Sequence, residues 1–201
     1  DIGFLIDGYT KSSNGDIKGN KGKYDYLIVK TDENGKVQWT KTLGGSEEDY
    51  AAALCETIDN GYVIAGYTWS SDGDVSKNNG EFDFWFVKLN AEGNIQWEKS
   101  YGGSKNEWLQ SIDFTSDGGF IAAGFTESRD GDVGEMKGMW DYWIVKLDGD
   151  GNLVWQKTFG GSSSDEAHCV KEVSSGGYIA AGYTFSNDGD ISQNKGTMDG
   201  W

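Results

Sequence analysis

The chain has 201 residues, enough for one domain with a sizeable core, and it carries 31 glycines and no proline. Its turns must therefore be built from Gly, Asn and Asp, and its nine Trp must supply much of the buried surface. With 33 acids against 17 bases the net charge is −16, which repels phosphate backbones and anionic headgroups; this argues against nucleic acid and membrane surfaces as partners, and no apolar run has the length of a membrane span.

The first predicted strand, GFLIDGYT at 3–10, returns as GYVIAGYT at 61–68, GFIAAGFT at 119–126 and GYIAAGYT at 177–184, a step of 58 residues without insertion or deletion. The repeats run 3–60, 61–118, 119–176 and, in part, 177–201, so the chain reads as a single domain of about 3.5 repeats. In the second repeat the next strand is DFWFVKL at 83–89; a turn from Asn90 to Asn94 leads into IQWEKSY at 95–101, and WLQSIDFT at 108–115 is the fourth. A helix competes for this fourth run. Ser46-Glu47-Glu48-Asp49 matches a capping box, and Leu109/Ile112 and Ala167/Val170 keep a three-residue step. Strand is preferred, because Thr57, Thr115 and Val173 carry the run into Asp-Asn-Gly, Ser-Asp-Gly-Gly and Ser-Ser-Gly-Gly hairpin turns.

Four short antiparallel strands per repeat predict an all-β fold, a β-propeller of four-stranded blades. Burial of both faces between blades explains why Trp85-Phe86-Val87 and Trp143-Ile144-Val145 are apolar without alternation. Half a blade cannot close a ring, so these residues are expected to be part of a larger propeller, completed by a second chain or by further repeats.

The pattern G-G-Y-x-x-A-G-Y-T, then S-x-D-G-D, then D-x-W-x-V-K-L-D-x-x-G-N-x-x-W-x-K-T-x-G-G-S resembles the repeats of secreted and cell-surface bacterial β-propeller proteins. The segment DYWIVKLDGDGNLVWQKTFGG is also similar to the strand-turn-Trp unit of quinoprotein-type blades. The resemblance implies an innermost strand ending in Ser-Asp-Gly-Gly, followed by the Gly-Tyr, Trp-Val-Lys-Leu and Asn-x-x-Trp strands in outward order. It also implies a binding scaffold at the cell surface or outside the cell.

On that order the acidic loop at 70–82 and the Gly-Gly-Ser segments at 44–46, 102–104 and 160–162 share one face. Asp72, Asp74, Ser76, Asn78, Gly80 and Asp83 fall at the offsets of an EF-hand calcium loop, and Asp188, Asp190, Ser192, Asn194, Gly196 and Asp199 repeat them. Lys77 and Gln193 stand where that loop needs Gly, and Asp stands where it needs a bidentate Glu. The competing reading is a turn whose carboxylates accept backbone N–H bonds, with Asp25, Asp83, Asp141 and Asp199 pinning the next strand. Calcium is the one cofactor these residues suggest, through Asp72, Asp74, Asp83, Asp188, Asp190 and Asp199.

Trp69, Trp108 and Trp140 break the repeat beside these loops and are the candidate ligand-binding residues, rings able to stack on sugars. Lys30, Lys88 and Lys146 recur amid apolar neighbours and are expected to meet the Asp five residues earlier or Asp49, Glu107 and Asp165. His168 is the single histidine, too few for a zinc site or a His-based triad, and Cys55 and Cys169 occupy different places in the repeat and are not expected to pair. The sequence thus points to a noncatalytic extracellular module that binds a glycan or protein ligand. The alternatives are a polysaccharide-active enzyme with paired carboxylates and a calcium-stabilised spacer.

Overall fold

The computed structural model describes residues 3–201, and all its regular elements are antiparallel strands. The first sheet holds β1 (Leu5–Thr10), β2 (Asp25–Thr31) and β3 (Val37–Leu43). The second runs β4 (Asp49–Glu56), β5 (Tyr62–Thr68), β6 (Asp83–Leu89) and β7 (Ile95–Tyr101) in sequence order. The third repeats that order with β8 (Glu107–Phe114), β9 (Phe120–Thr126), β10 (Asp141–Leu147) and β11 (Leu153–Phe159). The fourth has β12 (Asp165–Glu172), β13 (Tyr178–Thr184) and β14 (Asp199–Gly200).

The fourth run of each repeat is therefore a strand, and it opens the next sheet. Its three-residue apolar step has a β-sheet cause. Pairing of β8 with β9 shifts register between Leu109 and Ser111, leaving Gln110 as a bulge, and β12 does the same at His168. The extra residue turns Leu109 and Ile112 to one side, where both are buried in a single cluster. Opposite the bulge stands Gly124, where a Cβ would come within 2.0 Å of the Trp108 carbonyl oxygen, so only glycine fits.

Successive sheets pack face against face. All seven residues of β6 and all seven of β10 are buried. Phe84 and Phe86 of the second sheet share a core with Leu109, Ile112, Phe120, Trp143 and Val145 of the third, and the Phe84 and Trp143 rings are 4.5 Å apart. Tyr26 and Trp85 make the same contact at 4.6 Å one junction earlier. Each fully buried ring contributes about 2–3 kcal/mol by removal from water, which is how a chain poor in aliphatic residues builds its core. Trp39 and Trp97 pack against Gly93 and Gly151 in the turns of the following sheet. The opening strands neighbour one another too: Val170 N–H donates to Ser111 Oγ at 3.2 Å, and Lys171 pairs with Asp113 at 2.6 Å.

Candidate functional site: the loop rim

The loop entering each sheet and the loop between its second and third strands interlock by one repeated set of bonds. At the first junction Asp74 N–H donates to Gly44 O at 3.0 Å, and Gly44 N–H donates back to Asp74 Oδ2 at 3.1 Å. Ser46 N–H donates to Asp72 Oδ1 at 2.7 Å and Glu47 N–H to Ser70 Oγ at 3.0 Å. The same four bonds recur at Gly102/Asp132, Ser104/Asp130 and Lys105/Ser128, and again at Gly160/Asp190, Ser162/Asp188 and Ser163/Ser186. Asp-Gly-Asp thus caps the neighbouring loop, with Gly73 at φ 68° making the turn.

The six aspartates of the calcium pattern are occupied in this way. Asp72 and Asp188 hold serine N–H groups, and Asp74 and Asp190 hold glycine N–H groups and pair with Lys21 and Lys137. Asp83 and Asp199 accept the Asn79 and Lys195 N–H groups at 2.8 and 2.5 Å, pinning the third strand of their sheets. Among the described residues no three acids, histidines or cysteines come together as a metal set.

Beneath the loops lies a second acidic feature. Asp25 and Asp49, Asp83 and Glu107, and Asp141 and Asp165 form three pairs with no solvent exposure. Asp83 Oδ1 and Glu107 Oε2 each stand 2.4 Å from the point a Cβ on Gly102 would occupy, which explains both their proximity and the glycine. Glu107 accepts from Gly103 N–H at 2.7 Å and Thr126 Oγ1 at 2.6 Å, whereas Asp83 Oδ1 and Asp25 Oδ1 have no hydrogen-bond partner. Desolvation, with repulsion from Glu107 and Asp132 behind it, lifts Asp83 to about 7, and burial also raises Asp25, Asp49, Glu107 and Asp141. A proton on Asp83 turns its orphan acceptor into a donor facing Glu107.

Lys88 and Lys146 do not join these pairs, contrary to expectation. Lys88 reaches Asp59 at 2.7 Å and Thr57 Oγ1 at 2.5 Å, and Lys146 reaches Asp117 at 3.0 Å and Thr115 Oγ1 at 3.2 Å. Each runs along its own sheet to the hairpin between the first two strands, at the end away from the loop rim. The bond from Lys88 holds Asp59 down to about 2.

Aromatic rings follow the rim. Tyr9, Tyr24 and Tyr50 meet at 4.7–5.8 Å, Tyr50 continues to Tyr67 at 5.3 Å, and Tyr67 and Trp69 both touch Phe82, at 5.3 and 5.1 Å. Trp108 and Trp140 come together at 5.9 Å, bridged by Phe125, while Trp69 belongs to the preceding cluster. Trp69 is 43% exposed and Trp140 half-buried, its Nε1–H held by Glu127 at 2.7 Å. His168 lies on the bulge of β12 and stacks on Tyr183 at 5.0 Å; Cys55 and Cys169 are free.

Two equivalent clefts open between these loops. The first is lined by Lys23, Glu47, Trp69, Ser71 and Asn78–Gly80, and the second, of about 250 Å³, by Lys105, Glu127, Arg129, Met136, Met139 and Trp140. Sequence reasoning found one tryptophan of each cleft, singled out Asn78 and Gly80 only as calcium-loop positions, and missed the remaining lining. The available signal was departure from the repeat, which was applied to aromatic positions and not to Lys105, Arg129 or the two methionines.

No protein-family model matches the chain. Over 180 residues, 82% of its length, it is 24% identical to Regulatory protein FlaEY of Caulobacter vibrioides, and it spans 18% of that protein. A crystal structure of a protein of unknown function from Bacteroides caccae aligns with 81% of this chain and 48% of its own, at 12% identity and a TM-score of 0.47.

Proposed function

We propose that the chain is part of a β-propeller in a cell-surface or secreted protein, and that its loop rim binds a glycan without chemical conversion. The propeller reading is supported by the meander order of the sheets, the contact of β8 with both β4 and β12, and a groove at the fourth sheet. Tyr142, Ile144, Trp155, Tyr178, Ala180 and Trp201 line that groove; their counterparts 58 residues earlier are covered by Val145 and Leu147. A strand of the same repeat type is the occupant that suits it, from a further repeat or a second chain.

The observation that carries the binding role is the row of part-exposed rings along the rim, whose members change from repeat to repeat while the capping bonds stay fixed. Sheet packing does not demand such variation, and sugar rings stack on aromatic faces. A hydrolytic role is disfavoured, because the three close carboxylate pairs lie under the loops with no exposure. Glycan-array binding tests the reading. Replacing Trp108 or Trp140 by alanine is expected to weaken binding about tenfold or more with folding retained, and release of reducing ends from a bound polysaccharide would overturn it.

A further inference from the structure

The two rim clefts occupy the same place in successive repeats and differ in charge. In the first, Lys23 is neutralised by Glu47 at 2.6 Å. In the second, the counterpart of Glu47 is Lys105, and the counterpart of Ser71 is Arg129, the single arginine of a chain whose net charge is −16. Among the described residues neither Lys105 nor Arg129 takes part in an ion pair, and both are exposed. The nearby acids are engaged elsewhere. Glu127 takes the Trp140 Nε1–H at 2.7 Å and the Asn106 amide at 2.9 Å, and Asp130 caps Ser104 N–H at 2.8 Å.

This loop also gives up a shared structural device. In the other three, Asn20, Asn78 and Asn194 bind the carbonyl ten residues earlier, at 2.7, 3.0 and 3.2 Å. Met136 replaces that asparagine, and Arg129 in the same loop binds a different carbonyl, Gly138 O, at 3.1 Å. One guanidinium N–H of five is used there, leaving the rest for a ligand. Loss of the clamp coincides with arrival of a cation pair, an indole and two methionines in one cleft.

Resting on the glycan reading, we propose that the cleft between Lys105, Arg129 and Trp140 seats an anionic sugar unit, its ring on the indole and its carboxylate or sulfate on the two cations. A guanidinium suits such planar or trigonal oxyanions by paired donors, and the surrounding negative surface makes the cleft a selective exception.

Calorimetric titration of the whole chain tests this with oligogalacturonate, chondroitin sulfate, a neutral xylo-oligosaccharide and poly-glutamate. Binding of an anionic sugar at least tenfold tighter than of the neutral one is expected, weakened about tenfold by Arg129→Gln and by added salt; carboxylated and sulfated probes decide which oxyanion is preferred. Trp140→Phe retains the stacking face and is expected to lose less than Arg129→Gln. Equal binding of the neutral sugar, unaffected by Arg129→Gln, would overturn the anionic preference and leave the glycan reading standing. Binding of poly-glutamate as tight as any sugar would overturn both, and so would no binding by any probe.

Discussion

Asp83 and Asp130 belong to adjoining parts of the same junction, yet their protons behave oppositely. Asp83 is cut off from water, faces Glu107 with one oxygen unpaired, and rises to about 7. Asp130 sits in solvent and is lowered by the Ser104 N–H and hydroxyl it accepts. The difference lies in what each oxygen can see, because desolvation favours the neutral acid and a donated N–H favours the anion. Acid count alone, 33 in this chain, therefore conceals two layers: a rim of capping acids and an inner row of buried pairs.

Removing an inner acid should cost most. Glu107→Ala takes away the acceptor of Gly103 N–H and Thr126 Oγ1 inside the protein and is expected to destabilise by about 3 kcal/mol or more in urea denaturation. Asp130→Ala leaves Ser104 N–H open to water, and its midpoint should move by a small fraction of that. Equal losses at both positions would erase the distinction between the layers.

The pH dependence of stability sharpens the same contrast. An unfolded Asp83 loses its proton near pH 4, while the folded chain keeps it to about 7. Between these values the folded state holds the extra proton, so stability is fullest below the window, declines as pH rises through it, and levels above pH 7. The raised acids Asp25, Asp49, Glu107 and Asp141 act in the same direction, and the expected loss is on the order of 3 kcal/mol or more between pH 4.5 and 8. Asp83→Asn, which presents a neutral donor at every pH, should flatten that slope. A steeper slope in this variant would show that Asp83 is ionised in the fold.

How much of this was legible follows the physics of each feature. The 58-residue step and the bounds of β6 and β7 could be read because turn residues and ring positions are local signals, whereas the strand order within a sheet came from the resemblance to propeller blades. The helix-like step at Leu109 and Ile112 is ambiguous by itself, since a bulge and a helical turn both bring such residues to one side, and it was the hairpin turn after the run that decided for strand. Lysine partners were misread because Lys88 meets Asp59 through the register of β5 with β6, which composition does not encode. The inner pairs recur in sequence as Asp25/Asp49, Asp83/Glu107 and Asp141/Asp165, but their closeness depends on the Gly-Gly turn folding back over them. Trp108 and Trp140 were singled out from repeat-breaking alone, and the structure brings them together.

The smallest effect concerns cations at the rim. If the spacing from Asp72 to Asp83 and from Asp188 to Asp199 described calcium loops, millimolar calcium would raise the melting midpoint and chelation would lower it, by mass action on the folded state. The carboxylates here instead accept the Ser46, Gly44, Asn79, Ser162, Gly160 and Lys195 N–H groups, and two of them also face lysine ammonium groups. A cation would have to displace those bonds before gaining its own. Addition of calcium or of EDTA is accordingly expected to move the midpoint by less than about 1 °C, whereas a shift of about 3 °C, the scale of 1 kcal/mol in a domain of this size, would mean that the rim acids rearrange around a metal and that their capping role is the weaker of the two.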